Sequence, residues 1–291
     1  MRVFVTGAAS HLAAALLPRL LAAPGIEAVS GLDLRPSGFA HPRYREILAD
    51  LCTADWTALL PGHDALVHLA YVVMRGHTPL ARMAAVNVAA SQRLFDAAAG
   101  LRRVVHLSSA SVYGNGERLS ESAPLSPLPG FHYAQHKAQL DTWLEARHPG
   151  VVRLRPHVIL GPHAQPFLRR MAHTRFYPAL GHPLPHYQCV HEDDVALAIL
   201  TALQGPAAGP YNLAHPASFT LRELAARGGH RPIGLPLATI KALHYGAWLL
   251  SASGGEPGWL RGLAGPLTLD CSRAERELGW RAQHGLESPF C

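Results

Sequence analysis

The chain has 291 residues, 48% of them apolar and 16% charged, enough to bury a substantial core as one large domain or a domain with a lobe. It contains no internal repeat and no low-complexity tract, which sets aside solenoid, fibrous and disordered classes. The formal charge of +6 admits an anionic partner, but the arginines are dispersed and no nucleic-acid motif accompanies them, so a small anionic ligand is expected rather than nucleic acid.

In chain order, Val3 to Val5 reads as a strand, Thr6 and Gly7 as a turn, and Ser10, His11 and Leu12 as the start of an amphipathic helix. The helix is followed by a strand from Ala28 to Leu32 that ends in Asp33. This is the layout of a dinucleotide-binding unit: a pyrophosphate at the helix N-terminus and a carboxylate about twenty residues past the turn for ribose hydroxyls. Arg35, two residues on, is a surface residue or a group that could reach a 2′-phosphate, so NAD is favoured and NADP stays open. Interruptions at Gly7, Ser10, His11, Pro18 and Arg19 argue against reading this stretch as a signal peptide.

A short helical turn from Asp55 to Leu60 precedes a strand from Ala65 to Leu69, and a helix is expected over Leu80 to Ala99. Further strands are expected at Val104 to Leu107 and Val151 to Leu154, the first ending in a serine cluster that includes Ser109 and then Tyr113 and Gly114. The alternation predicts a doubly wound α/β fold, a parallel sheet covered on both faces. Glu117 to Phe131, rich in Ser and Pro, reads as a loop leading to a helix from Tyr133 to Arg147. On that helix Tyr133 and Lys137 stand at i and i+4, so the ammonium can sit beside the phenol and draw its pKa down from about 10. Tyr133 is then a candidate acid/base, and a hydroxyl of the serine cluster could hold the same substrate oxygen.

After Gly161 and Pro162 the pattern breaks, returns with the helix that starts at Val195 and with Tyr211 to Leu213, and breaks again. A doubly wound core over residues 1–160, rejoined by 188–215, and a small lobe built from 161–187 and 216–291 over the carboxyl ends of the strands follow. Arg169, Arg170 and Arg175 lie on the lobe's first stretch and are read as surface groups that could also hold an anionic moiety. His182, His186, Cys189 and His191 crowd near Glu192, Asp193 and Asp194, but the acids are read as a helix start, and no metal is expected. The apolar stretch from Lys241 to Gly254 is too short to span a bilayer and is expected to pack on the lobe, so no membrane partner is expected. Cys52, Cys189, Cys271 and Cys291 show no paired spacing, which fits a reducing cytoplasm.

Taken in order, these pieces resemble the extended short-chain dehydrogenase/reductase family, the NAD-dependent epimerase/dehydratase group. The matching residues are Thr6 and Gly7 with Asp33, Ala49-Asp50-Leu51, Val67-His68-Leu69-Ala70, Asn87-Val88, Ser108-Ser109, Val112-Tyr113-Gly114, Tyr133 with Lys137, Arg155-Pro156, Gly161-Pro162, Val190-His191, Asp194-Val195 and Glu277-Leu278-Gly279-Trp280. The resemblance implies a Rossmann fold with a small C-terminal substrate-binding lobe. Tyr133 would be the acid/base, and Lys137 would bind nicotinamide-ribose hydroxyls and tune the phenol. Ser109 would position the substrate oxygen, and Asn87 would support the site from its helix. Asp50 and Leu51 would flank the adenine, Leu69 and Ala70 would line the cofactor cleft, and Pro156 would stand at its far wall. The helices holding Asn87 and Tyr133 would form the interface of a homodimer.

One departure stands out. Where the family loop carries three glycines, this chain keeps Gly7 and has Ser10 and Ala13 in the other two places. Serine in the second place could crowd a phosphate with its Cβ or donate to it with its hydroxyl. The resemblance implies an NAD(P)-dependent oxidoreductase acting on a small carbonyl or secondary alcohol. A sugar-nucleotide epimerase uses the same residues, though such relatives tend to have a larger C-terminal lobe. A 4,6-dehydratase is disfavoured because Ala110 and Ser111 stand where those relatives carry an acidic pair. A dinucleotide-sensing protein without turnover is the reading from another class, prompted by Ser10 and Ala13.

Overall fold

The structure is a computed structural model that describes all residues except 74–76, 166–167, 169–173, 228–230, 252–256 and 286–291. Arg169, Arg170, Gly254 and Cys291 therefore lie outside the described residues.

The strands are β1 (Arg2–Thr6), β2 (Ala28–Asp33), β3 (Tyr44–Leu48), β4 (Ala65–His68), β5 (Arg103–Leu107), β6 (Gly116–Leu119), β7 (Val152–Pro156), β8 (Val158–Leu160), β9 (Phe176–Pro178), β10 (His186–Tyr187), β11 (Cys189–His191), β12 (Gly209–Leu213), β13 (Phe219–Thr220), β14 (Ile233–Leu235) and β15 (Leu267–Leu269). Seven of them form one sheet in the order β12-β7-β5-β4-β1-β2-β3, and every pairing in it is parallel. This is the doubly wound Rossmann-type α/β arrangement that the alternation predicted. Parallel strands covered on both faces read as continuous apolar runs, and β1 and β4 are buried from Val3 to Thr6 and from Ala65 to His68. On one face Val3, Val5 and Val67 pack under Leu16 and Leu20 of α1 (His11–Ala22) and Ile199 of the helix Glu192–Gln204. On the other, Phe4 and Leu66 pack under Leu94 and Leu140. Each such side chain contributes about 1.5–3 kcal/mol when withdrawn from water.

Three elements depart from expectation. The edge strand β3 was not anticipated; its pattern is mixed, with exposed Arg45 and Glu46, because an edge strand need bury only one side. The helix expected from Leu80 to Ala99 runs as Leu80–Ala84, a π-helical segment Ala85–Ala90 and Ser91–Ala97. The expected loop from Glu117 contains β6, which pairs in parallel with β15 about 150 positions away, in a second sheet ordered β13-β10-β15-β6. That pairing is invisible to local pattern because its partner lies near the other end of the chain.

The C-terminal segment is fastened to the core by Trp280. Its ring is 2% exposed, its Nε1 donates to the Asp194 carbonyl at 2.7 Å, and Gly279, with φ of 67°, turns the backbone into it. Among the described residues, no helix is long and apolar enough to cross a membrane.

Candidate active site

The carboxyl ends of β1, β4 and β5 open on a cavity of about 1230 Å³. This is where the strand order turns about β1, the position at which open α/β sheets bind ligands. The predicted dinucleotide residues and two of the predicted reaction residues line this single space, among them Gly7, Ser10, Asp33, Asp50, Ser109 and Tyr133, whereas Asn87 and Lys137 are buried behind its wall.

At one end, Gly7 has φ of 76°, and a Cβ there would stand 2.5 Å from the Ala70 backbone nitrogen. Only glycine serves that position. Ser10 is different: its φ of −77° and ψ of 159° are extended, and its hydroxyl accepts from the Ala13 N–H at 3.3 Å as the N-cap of α1. Ser10 thus supplies a cap where a glycine would leave an N–H open. Ala13 is fully buried against the sheet, so the third loop position holds a methyl. Asp33 accepts from the Ala9 N–H at 3.0 Å and the Arg35 N–H at 3.2 Å, joining the end of β2 to the loop. His11 and Arg35 are exposed at the rim, and Leu12 is buried. Asp50 accepts from the Cys52 N–H at 2.8 Å and pairs with Arg82 at 2.6 Å; the Cys52 bond first and Arg82 second hold its carboxyl below the usual range, while Leu51 is 5% exposed beneath it.

At the other end, the helix His132–Arg147 carries Tyr133 and Lys137. Lys137 is 3% exposed; its Nζ donates to the Leu107 carbonyl and lies 3.5 Å from the centre of the Tyr71 ring. Burial pulls its pKa down to about 7, against a smaller upward pull from Asp141. Tyr133 is bonded to the Ser109 hydroxyl, and burial pushes its pKa up to about 12. The expectation that the ammonium would lower the phenol is corrected here: in the protein alone desolvation dominates both groups, and each is moved toward its neutral form. Ser109 Oγ also lies 2.9 Å from Ser111 Oγ.

The surrounding braces explain why these groups hold still. Asn87, fully buried in the π-helical segment, accepts from the Val72 N–H at 2.7 Å and donates to the Val72 carbonyl at 3.1 Å. It thereby fixes the backbone just past Leu69 and Ala70, which the π bulge faces. His68 bridges Thr6 Oγ1 at 2.6 Å and Ser91 Oγ at 2.8 Å, and burial lowers its pKa to about 3, so it is a neutral ring joining β1 to the helix Ser91–Ala97. Pro156 ends β7 at the cavity wall. Tyr113 packs at the turn: it donates to Asn212 Oδ1 at 2.8 Å and receives Arg155 Nη1 at 2.7 Å, while Arg155 Nε donates to Asp141 at 2.7 Å.

Two cavity residues carried no sequence signal of their own. Tyr71 sets its ring edge-on to Tyr133 at 5.7 Å, and Trp259 stacks on Tyr133 at 5.4 Å and packs at a tilt against Phe131 at 4.9 Å. Tyr71 follows Ala70 at the end of β4, so its place was inferable from the strand's end; Trp259 comes from 126 positions away in sequence and was not. Arg175 is exposed and stacked on Phe176, away from the cavity lining. His191 caps the helix Glu192–Gln204 through Asp193 N–H, as expected of a helix start. With Asp193 and His284 it forms a group whose ligand atoms lie within 4.8 Å, but Arg19 holds Asp193 Oδ2 at 2.6 Å.

Residues 3–214 match the NAD dependent epimerase/dehydratase family. The chain belongs to that family. As an extended short-chain dehydrogenase/reductase it is 30% identical to a UDP-glucose 4-epimerase of Mycolicibacterium smegmatis, over 98% of this chain and 95% of the relative. It is 28% identical to a dTDP-glucose 4,6-dehydratase of Streptomyces griseus, over 96% and 88%. Among solved structures it is similar to DesIV, a dTDP-glucose 4,6-dehydratase from Streptomyces venezuelae with NAD and TYD bound, with 28% identity, a TM-score of 0.75 and coverage of 100% of this chain and 94% of that one. MoeE5 in complex with UDP-glucose and NAD gives 25% identity, the same score and coverage of 100% and 96%. Family members of this kind are enzymes, and the loop, cap and carboxylate arrangement of this chain fits the dinucleotide they hold.

Proposed function

We propose that the protein is an NAD-dependent oxidoreductase that moves a hydride between nicotinamide and the carbon of a secondary alcohol or ketone. The observation that carries this reading is the single cavity lined by Gly7 and Asp33 at one end and by Ser109 and Tyr133 at the other, with Lys137 buried behind its Tyr71 wall. When bound, NAD would supply the hydride acceptor or donor. Gly7 and the α1 N-terminus would take the pyrophosphate, Asp33 the adenosine ribose hydroxyls, and Asp50 and Leu51 would border the adenine. Asp33 disfavours a 2′-phosphate by charge, which selects NAD over NADP.

At the reacting end, a phenol pushed up to about 12 is protonated at neutral pH and so is ready to donate to a carbonyl oxygen as the carbon gains hydride. In the reverse direction the alcohol proton would pass to the Tyr133 oxygen as hydride leaves the carbon. Ser109, already bonded to Tyr133, would hold the same substrate oxygen. Lys137 would supply positive charge beside a developing phenolate, and its position near pH 7 makes that charge sensitive to the working pH.

A second reading is favoured by the relatives themselves: the M. smegmatis 4-epimerase is matched over almost its whole length. An epimerase would use the same residues on a nucleotide sugar, keeping its cofactor and returning the hydride to the opposite face. A dehydratase additionally needs an acid and a base to remove water, and Ala110 and Ser111 offer neither. Calorimetric titration with NAD and NADP, after an absorbance check for co-purified cofactor, tests the reading. NAD binding with weaker NADP binding supports it, tightly retained NAD moves it to the epimerase, and no binding of either at millimolar concentration refutes it.

A further inference from the structure

We propose that the helix Leu237–Ser251 is a docking face for an anionic lipid bilayer, on whose surface the protein would rest. The helix is seated by one narrow stripe. Leu237, Ile240, His244 and Trp248, at spacings of three and four, are its half-buried side chains, with Gly246 beside them, and His77 Nε2 donates to the Trp248 carbonyl at 2.8 Å with the two rings 5.4 Å apart. The remaining circumference faces outward and is apolar. Leu243 is 65% exposed, Tyr245 50%, Leu249 52% and Leu250 89%, and Lys241 is the helix's single ionic side chain. Just upstream, β14 and its partner β9 leave Ile233 and Phe176 exposed as well.

Charge selects the occupant. From Arg231 to Gly255 the sequence carries Arg231 and Lys241 and no carboxylate, and from Arg175 to Gln188 it carries Arg175 and none; Arg227 is not counted, because it sits one turn from Glu223. The Arg175 carbonyl receives the Ile233 N–H at 2.8 Å, and the Arg175 guanidinium lies over the exposed Phe176 ring at 5.2 Å, so cation and apolar side chain adjoin on one edge. A protein interface of this character would be expected to present hydrogen-bonding groups that fix register, roughly one per 100–200 Å². The outward face offers few beyond Thr239, Lys241 and Tyr245. Leucines with an interfacial tyrosine and flanking cations, without acids, are what a bilayer surface with anionic headgroups recognises. Sequence expectation excluded a membrane partner on the ground that the stretch cannot span; resting on the surface needs no span. His77 is followed by Thr78 of the cavity wall, so docking would set the cavity beside the lipid.

The test is sedimentation of the full chain with vesicles of phosphatidylcholine alone and of phosphatidylcholine mixed with phosphatidylglycerol, alongside sedimentation velocity without lipid. The protein should pellet with the mixed vesicles, less so at high salt, and the L243D/L250D double variant should stay in solution. Lys241→Glu leaves the leucines in place and keeps the test open if the double variant misfolds; its partition should fall about fivefold or more. Equal pelleting with and without mixed vesicles overturns the proposal, as does unchanged partition of Lys241→Glu. A wild-type dimer that L243D/L250D dissociates, with no vesicle binding, would make a second copy the occupant instead. None of these readouts depends on cofactor or turnover, so the docking proposal and the oxidoreductase reading stand or fall separately.

Discussion

Three imidazoles that the fold holds neutral should make this protein labile in mild acid. His68 and His106 are fully buried and His157 is 5% exposed. Burial pulls His68 to about 3, His157 to about 4 and His106 well below the ordinary 6.5. For each, the native pKa is depressed, so its stability is intact above 6.5 and is lost progressively as pH falls toward the native value, because the unfolded chain binds a proton that the native state refuses. At pH 5 this costs about 2 kcal/mol for each of His68 and His157, about 4 kcal/mol for the two, and His106 adds to it in the same direction. Against a total of about 5–15 kcal/mol for a domain, that is decisive. Urea unfolding followed from pH 8 to pH 5 would measure it. His106→Leu is the sharper perturbation, since neither His106 ring nitrogen has a hydrogen-bond partner of normal geometry and removal strands nothing. The variant should lose only about 4 kcal/mol over the same range. A wild-type stability that is flat from pH 8 to 5, or a variant whose acid loss equals the wild type's, would refute the reasoning.

Other perturbations have equally definite outcomes. Lys137→Met should raise the urea midpoint at pH 8, by about 2–3 kcal/mol in stability, because a lysine held near 7 must give up its proton to fold, and it should abolish turnover. Gly7→Ala places a methyl against the Ala70 backbone in a left-handed conformation; it should cost about 3 kcal/mol of stability and lower NAD affinity more than tenfold by calorimetry. Tyr133→Phe should keep NAD affinity within about threefold and lower turnover by about 10²–10⁴ in a coupled absorbance assay. Asp141→Ala leaves Arg155 buried without its carboxylate and should destabilise by about 3–5 kcal/mol in the same urea assay.

Local periodicity carried most of the Rossmann half. The strand at Val3, the turn at Gly7 and the strand ending in Asp33 were legible because a buried parallel strand leaves an apolar run and a glycine marks the turn. The i, i+4 spacing likewise placed Tyr133 and Lys137 on one helix, but not the sign of the phenol's shift, which depends on desolvation that spacing does not report. Asp141, four further along, was readable in principle as Lys137's neighbour. What was not legible was anything assembled across the chain: Trp259 over Tyr133, β6 beside β15, and the His68 bridge, each of which depends on contacts between distant segments.

The pairing of β6 with β15 bears on the order in which the molecule is made. Asn212 donates to the Leu119 and Asp270 carbonyls at 2.9 and 3.1 Å, so one amide ties together strands encoded near the middle and near the end of the chain. During synthesis the first 160 residues can assemble β1 to β5 and β7 and form the Gly7 turn while residue 267 is still inside the ribosome. The nascent chain would then own a nearly finished nucleotide cleft well before Trp259 emerges to cover its reactive end, and a dinucleotide captured at that moment would act as a template for the rest of folding.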